Sequence, residues 1–262
     1  MRLTMFELIE SHPPLDVQEA EYQRLLGYPK NHTLEGRARE LAVAARAWFS
    51  TNGRPWIYAR EIGALELKDG KLRIGGHEFS SRRLCDSFAE AAAHSAVVVA
   101  VSAGNECEET ARQLWLESKP DEYFFLEIFG SAVVEHLVAL ASGWICAWAD
   151  RQQMAVLPHF SPGYSGWDVA EQVKLWNLIS QDNRRGFPGG LNVLDSGMLR
   201  PKKSLLAVFG VTRDVEKARR FSKLIPCENC SLPGCQYRRA AYRRAPAQFE
   251  EMRRQDQVKF PM

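Results

Sequence analysis

Residues 124–150 read FFLEIFGSAVVEHLVALASGWICAWAD. Apolar residues recur at helical spacing along the whole stretch, from Phe124, Phe125, Ile128 and Phe129 through Val133, Leu137 and Leu140 to Trp144 and Trp148. They cover more than one stripe. A helix that is apolar around most of its circumference must be surrounded, so this one, running from about Asp121 to Asp150, is central rather than peripheral. Gly130 and Ser131 lower helix propensity in its middle and point to close approach by another backbone or a ligand.

The elements on either side decide the class. Upstream, LDVQEAEYQRLLGYP is a helix stopped at Gly-Tyr-Pro, and TLEGRARELAVAARAWFST is a second amphipathic helix. LELKDGKLRI alternates on both sides of Asp69-Gly70, the pattern of a hairpin with a type I′ turn. The helix SSRRLCDSFAEAAAHS leads into AVVVAVS (Ala96 to Ser102), a buried strand, and ECEETARQLWLES follows as a helix. Downstream come a helix in DVAEQVKLWNLISQ, strands in LNVLDSG and SLLAVFGV, and a short basic helix from Val215 to Leu224. Strands and helices do not alternate as βαβ units, so the class is α+β.

At 262 residues the chain can bury a sizeable core, and its net charge of +2 marks neither a nucleic-acid binder nor an acidic tail protein. The excess is local: residues 213–262 hold twelve Lys/Arg against six Asp/Glu. Two regions are expected, a main domain over residues 1–222 and a Cys-rich, Arg-rich tail over 223–262. No uninterrupted apolar run reaches the roughly 18–20 residues of a membrane span, and the N-terminus does not read as a signal peptide, which together predict a cytoplasmic protein. Nucleotide P-loops, dinucleotide-binding glycine motifs, HExxH and GxSxG elbows are all absent from the sequence.

Three features carry chemistry. Glu135 is a carboxylate among Val133, Val134 and Leu137, and such a group must be paired, exposed or functional. LPHFSPGYSGW (157–167) is a shaped turn, because Pro162 fixes φ and Gly163 permits φ > 0. It is read either as a structural corner or as a ligand loop to which Tyr164 adds a ring and a hydroxyl. Cys227, Cys230 and Cys235 form C-x2-C-x4-C, a metal-binding spacing that suits zinc or an iron–sulfur cluster. A fourth ligand would come from Cys85, Cys107, Cys146 or a His, or one position would stay open.

Taken together, FGSAVVEHL, LPHFSPGYSGW and DSGMLRPKKSLLAVFGV resemble, in order and separation, the reactivation domain of cobalamin-dependent methionine synthase, in particular the stand-alone bacterial proteins built from it. The resemblance covers roughly Leu25 to Val211. It implies an antiparallel sheet with long helices packed around it, binding S-adenosylmethionine in an extended groove. It also implies a corrinoid partner: a corrinoid-binding protein or the methionine synthase core, with flavodoxin or ferredoxin as electron donor. The family's helix glutamate falls on Glu135, and its Arg-x-x-Pro-Gly-Tyr turn falls on His159, Ser161, Pro162, Gly163 and Tyr164, with His159 where the family has Arg. Arg200, Lys202 or Lys203 would then supply the missing charge. No D-x-H-x-x-G corrinoid signature is present, so cobalamin would arrive on the partner. The function implied is reductive methylation of that corrinoid. The alternative from another class is a non-catalytic assembly protein that keeps the fold and a metal-stapled tail; nucleic-acid binding through the arginines ranks below both.

Overall fold

The computed structural model describes residues 5–221 apart from Lys30, Asn31, Ala64, Asp182 and Arg184. The cysteine cluster at Cys227, Cys230 and Cys235 lies outside the described residues, as does the tail as a whole. In chain order the elements are β1 (Glu7–Glu10), α1 (Glu19–Leu25), α2 (Gly36–Asn52), β2 (Trp56–Ile62), β3 (Leu65–Lys68), β4 (Lys71–Ile74), β5 (His77–Phe79), α3 (Arg82–Glu90) and β6 (Ser95–Ser102). There follow α4 (Asn105–Leu116), α5 (Pro120–Arg151), β7 (Ala155–Val156), α6 (Gln172–Ser180), β8 (Asn192–Val193), β9 (Leu199–Arg200), β10 (Ser204–Thr212) and α7 (Val215–Arg219).

β6 explains the architecture. All eight of its residues are buried, which requires cover on both faces. Val97, Val99 and Val101 enter one core, while Ala96, Val98 and Ala100 enter the other. β10 alternates in the same way, with Ala207, Phe209 and Val211 on the first side and Leu206 and Val208 on the second. Both belong to a five-stranded antiparallel sheet of order β1-β2-β6-β10-β7. The α+β class and its antiparallel sheet are therefore what the chain adopts.

On the first side, α5 packs among α1, α2 and α4. This is why it is apolar all round: Phe125, Phe129, Val133, Leu137, Ile145 and Trp148 are all buried. An 18-residue window of α5 has a mean hydropathy of 1.7, so by length and composition the helix could cross a membrane, which corrects the expectation from uninterrupted apolar runs. Here it is a core helix. Gly130 is small because a Cβ there would meet the Cys107 sulfur at 2.8 Å and a Lys203 methylene at 3.2 Å; the neighbours are side chains, not a second backbone.

The second side is covered by the small sheet β3-β4-β5, α3 and α6. Asp69 and Gly70 join β3 to β4 with φ of 52° and 70°, the left-handed pair that a type I′ turn demands. The reading of this hairpin from alternation and Asp-Gly holds. β1, β2 and β7 were not legible in the same way.

Candidate ligand site at one end of the sheet

The register brings several loops to one end of the large sheet. Trp56 opens β2 opposite Ser102, which closes β6, and Ser102 faces Ser204, which opens β10. β1 closes at the same end, with Glu10 opposite Ile57. The segment after β7 runs along β10 in the reverse direction: Leu157 N–H donates to Gly210 O at 2.8 Å, and Phe160 and Val208 exchange bonds of 2.9 and 2.8 Å. Its turn at 161–164 therefore arrives at that end as well.

This turn is closed on itself. Tyr164 N–H donates to Ser161 O at 3.1 Å, Gly163 N–H to Trp167 O at 2.9 Å, and Trp167 N–H to Tyr164 O at 2.9 Å. Gly163 takes φ of 89°, the left-handed region that favours glycine. The Trp167 indole donates to Glu171 at 2.7 Å and stands edge-on to Phe79. Glu171, itself buried, also accepts from Ser80 N–H and pairs with Lys174 at 2.9 Å. The N–H groups of Gly163 and Tyr164 thus point inward. What the turn offers a ligand is its side chains and carbonyl oxygens, not the amides of Gly163 and Tyr164.

Two side chains stand out. His159 Nε2 and the Tyr164 hydroxyl are hydrogen-bonded at 3.1 Å, and the His159 ring packs 5.5 Å from Phe209. Phe209 belongs to the α5 side of the sheet, so His159 faces the same layer as α5. Ser161 is buried with a hydroxyl that has no hydrogen-bond partner, and Pro162 is buried beside it, whereas Gly163 is exposed. Glu135 stands half-buried on α5, one turn beyond Ser131.

The more deeply buried carboxylate of α5 is Glu127, 8% exposed. It pairs with Lys202 at 2.9 Å and Lys203 at 3.2 Å, and Lys203 also donates to the Ser131 hydroxyl at 2.9 Å. Sequence reasoning passed over Glu127, although Leu126 and Ile128 flank it with the same apolar signal that singled out Glu135. The two lysines are engaged by this helix, and Lys202 also lies 5.6 Å from the Tyr123 ring centre. Lys202 and Lys203 are thereby corrected as spare charges to replace the family's arginine. Arg200 is exposed.

Cys107 abuts this cluster. Burial pushes its thiol up to about 12, with the Glu127 charge adding to the effect. Cys85 is also buried and its thiol raised, by burial first and then by Asp86. Neutral, enclosed thiols are poor metal ligands. Among the described residues no group of three His, Cys, Asp or Glu is placed to hold a metal ion.

No family model matches the chain, and no curated protein sequence matches it. Its fold does match a solved structure, that of the MetH reactivation domain bound to AdoHcy. The TM-score is 0.58 at 11% sequence identity, over 81% of this chain and 79% of that chain. The likeness is one of fold.

Proposed function

We propose that the chain binds S-adenosylmethionine at the sheet end formed by α5 and the 159–164 turn, and serves the reactivation of a corrinoid methyltransferase carried on another protein. The observation that supports this reading is the bonded pair His159–Tyr164, set on the α5 side of a fold shared with a domain solved with AdoHcy. The donor set suits such a ligand. Glu135 provides negative charge for a sulfonium, Tyr164 a ring and a hydroxyl, and His159 a donor for the ligand's carboxylate. The Ser161 hydroxyl is a buried polar group still lacking a partner. The ligand would supply a transferable methyl cation, and the corrinoid with one electron would receive it; the chain's part is to bind, orient and exclude water. That electron would come from a flavodoxin or ferredoxin, or from an iron–sulfur cluster on Cys227, Cys230 and Cys235. Zinc at those cysteines would make them a staple instead.

Calorimetric titration with S-adenosylmethionine from about pH 6 to pH 8 tests the reading. Binding is expected, weakened about tenfold by Tyr164→Phe or Glu135→Gln, as the loss of one ligand-directed polar contact dictates. His159→Arg is expected to tighten it, because a guanidinium stays charged and offers a fork of donors. No heat at millimolar ligand in the wild type sinks the proposal and leaves the non-catalytic assembly reading, which the inward-turned amides of the loop favour.

A further inference from the structure

The ligand turn is braced from behind by a carboxylate. Glu171 closes the short 3-10 turn Val169–Glu171 that leads into α6, and it is buried together with Trp167, at 8% and 4% exposure. Three donors converge on it. The Trp167 indole bonds Oε2 at 2.7 Å, Ser80 N–H reaches both oxygens at 3.0 and 3.2 Å, and Lys174 meets Oε1 at 2.9 Å. Ser80 directly follows β5, and the Lys174 ammonium goes on to Glu78 O within β5 at 3.0 Å. One side chain thereby ties the small sheet, α6 and the turn together.

What Glu171 holds is the residue that closes the turn. Trp167 O accepts from Gly163 N–H and Trp167 N–H donates to Tyr164 O, both at 2.9 Å. The indole is also fixed edge-on against Phe79, ring centres 5.9 Å apart. Val169 lies against Gly163, where an added Cβ would come within 3.7 Å of it. Moving the Trp167 ring would carry both backbone bonds with it, and with them the direction in which Tyr164 meets His159 at 3.1 Å. Trp167 and Phe79 belong to the second side of the large sheet, whereas His159 packs on Phe209 of the first. Glu171 therefore acts on the site through the turn. A charged acceptor makes hydrogen bonds roughly twice as strong as a neutral one. A glutamine there would bring an NH2 group toward these donors in place of one acceptor oxygen.

We propose that Glu171 is the positioning residue of the ligand turn: it sets the aim of Tyr164 through Trp167 and couples that aim to the small sheet. This rests on the S-adenosylmethionine reading above and adds to it the side chain that fixes the shape of the turn.

The test joins amide hydrogen exchange with calorimetric titration by S-adenosylmethionine, on the full chain and its Glu171→Gln, Trp167→Phe and double variants. In Glu171→Gln the Gly163 and Tyr164 amides are expected to exchange at least about tenfold faster, a larger increase than at Val99 in the centre of the sheet, which reports general loosening. Affinity should fall about tenfold. Because Glu171 acts through the indole, the double variant should stay within about twofold of Trp167→Phe alone. Lys174→Met removes only the half-exposed partner of Glu171 and should leave the affinity within about twofold. An increase in exchange no larger than that at Val99, additive losses in the double variant, or full affinity in Glu171→Gln each overturn the proposal. Should Glu171→Gln not fold, unchanged exchange at Gly163 in Trp167→Phe overturns it instead. Absence of binding by the wild type removes the function proposed above, and the exchange comparison then decides the role of Glu171 by itself.

Discussion

The ammonium of Lys203 lies 3.2 Å from a carboxylate oxygen of Glu127 and donates to the Ser131 hydroxyl at 2.9 Å. One side chain thus pins the head of β10 to α5, at the end of the sheet where the loops converge. Both side chains are largely buried, at 16% and 10% exposure, so the pair is worth more as a positioning device than as a source of net stability. Lys203→Met is expected to destabilise the protein by about 1–3 kcal/mol, because it removes a buried partner while Glu127 keeps only Lys202. Combining it with Glu127→Gln should recover part of the loss. Urea unfolding of the single and double variants measures both effects.

Gly130→Ala tests the crowding on the other side of the same cluster. Alanine is the better helix former by about 1 kcal/mol, yet its Cβ would meet Cys107 Sγ at 2.8 Å. Overpacking a sealed position typically costs about 1–3 kcal/mol, so a net loss is expected. Adding Cys107→Ala should relieve the contact and leave the pair less destabilised than the two single changes predict. A thermodynamic cycle from denaturant midpoints decides the point.

His94 introduces a pH dependence. Burial lowers its pKa below the usual 6.5, and the Arg213 charge acts in the same direction. In the unfolded chain this imidazole takes up its proton at the higher pH, so folding is penalised as pH falls below about 6.5, and the penalty levels off once the folded-state value is passed. Above that window the contribution is flat. His94→Gln should reduce the fall in urea midpoint between about pH 7 and pH 5, before the carboxylates titrate. An unchanged slope would count against this account.

The described thiols differ in access. Cys107 is fully buried and Cys85 nearly so, whereas Cys146 is exposed on α5. Burial of its sulfur and the Asp150 charge still raise the Cys146 thiol, offset by a hydrogen bond with Ser142, so its alkylation should be slow at neutral pH and accelerate in mild alkali. Peptide mass spectrometry after iodoacetamide treatment should find Cys146 modified in the native protein. Cys107 should become labelled only on unfolding.

Much of the fold was legible because local patterns carried it. The β3–β4 hairpin followed from alternation around Asp69-Gly70, whose positive φ values cost little at those residue types. α5 followed from apolar residues at helical spacing, and the buried character of β6 from an unbroken run of small and branched side chains. β2 did not declare itself, because WIYAREI is buried at its start and carries Arg60 and Glu61 near its end. Its strand character comes from pairing with β6. β1 and β7 are shorter still and exist as strands through the neighbours they join.

The candidate site divides in the same way. Pro162, Gly163 and Tyr164 announced a shaped turn, since ring closure and the missing Cβ restrict or free φ whatever surrounds them. Which atoms that turn presents depended on partners distant in sequence. Val208 positions Phe160, Phe79 and Glu171 hold Trp167, and the amides of Gly163 and Tyr164 close inward. Glu127 and Glu135 have similar apolar neighbours along the chain; the more deeply buried Glu127 is paired with lysines more than seventy residues away. The sequence by itself determined the periodicities, the turn residues and the class of fold, because these are set by short-range sterics and hydrophobic spacing. Only the tertiary structure decided which carboxylate is buried against which cation and which loops share a sheet end, because burial and charge pairing depend on contacts between segments far apart in the chain.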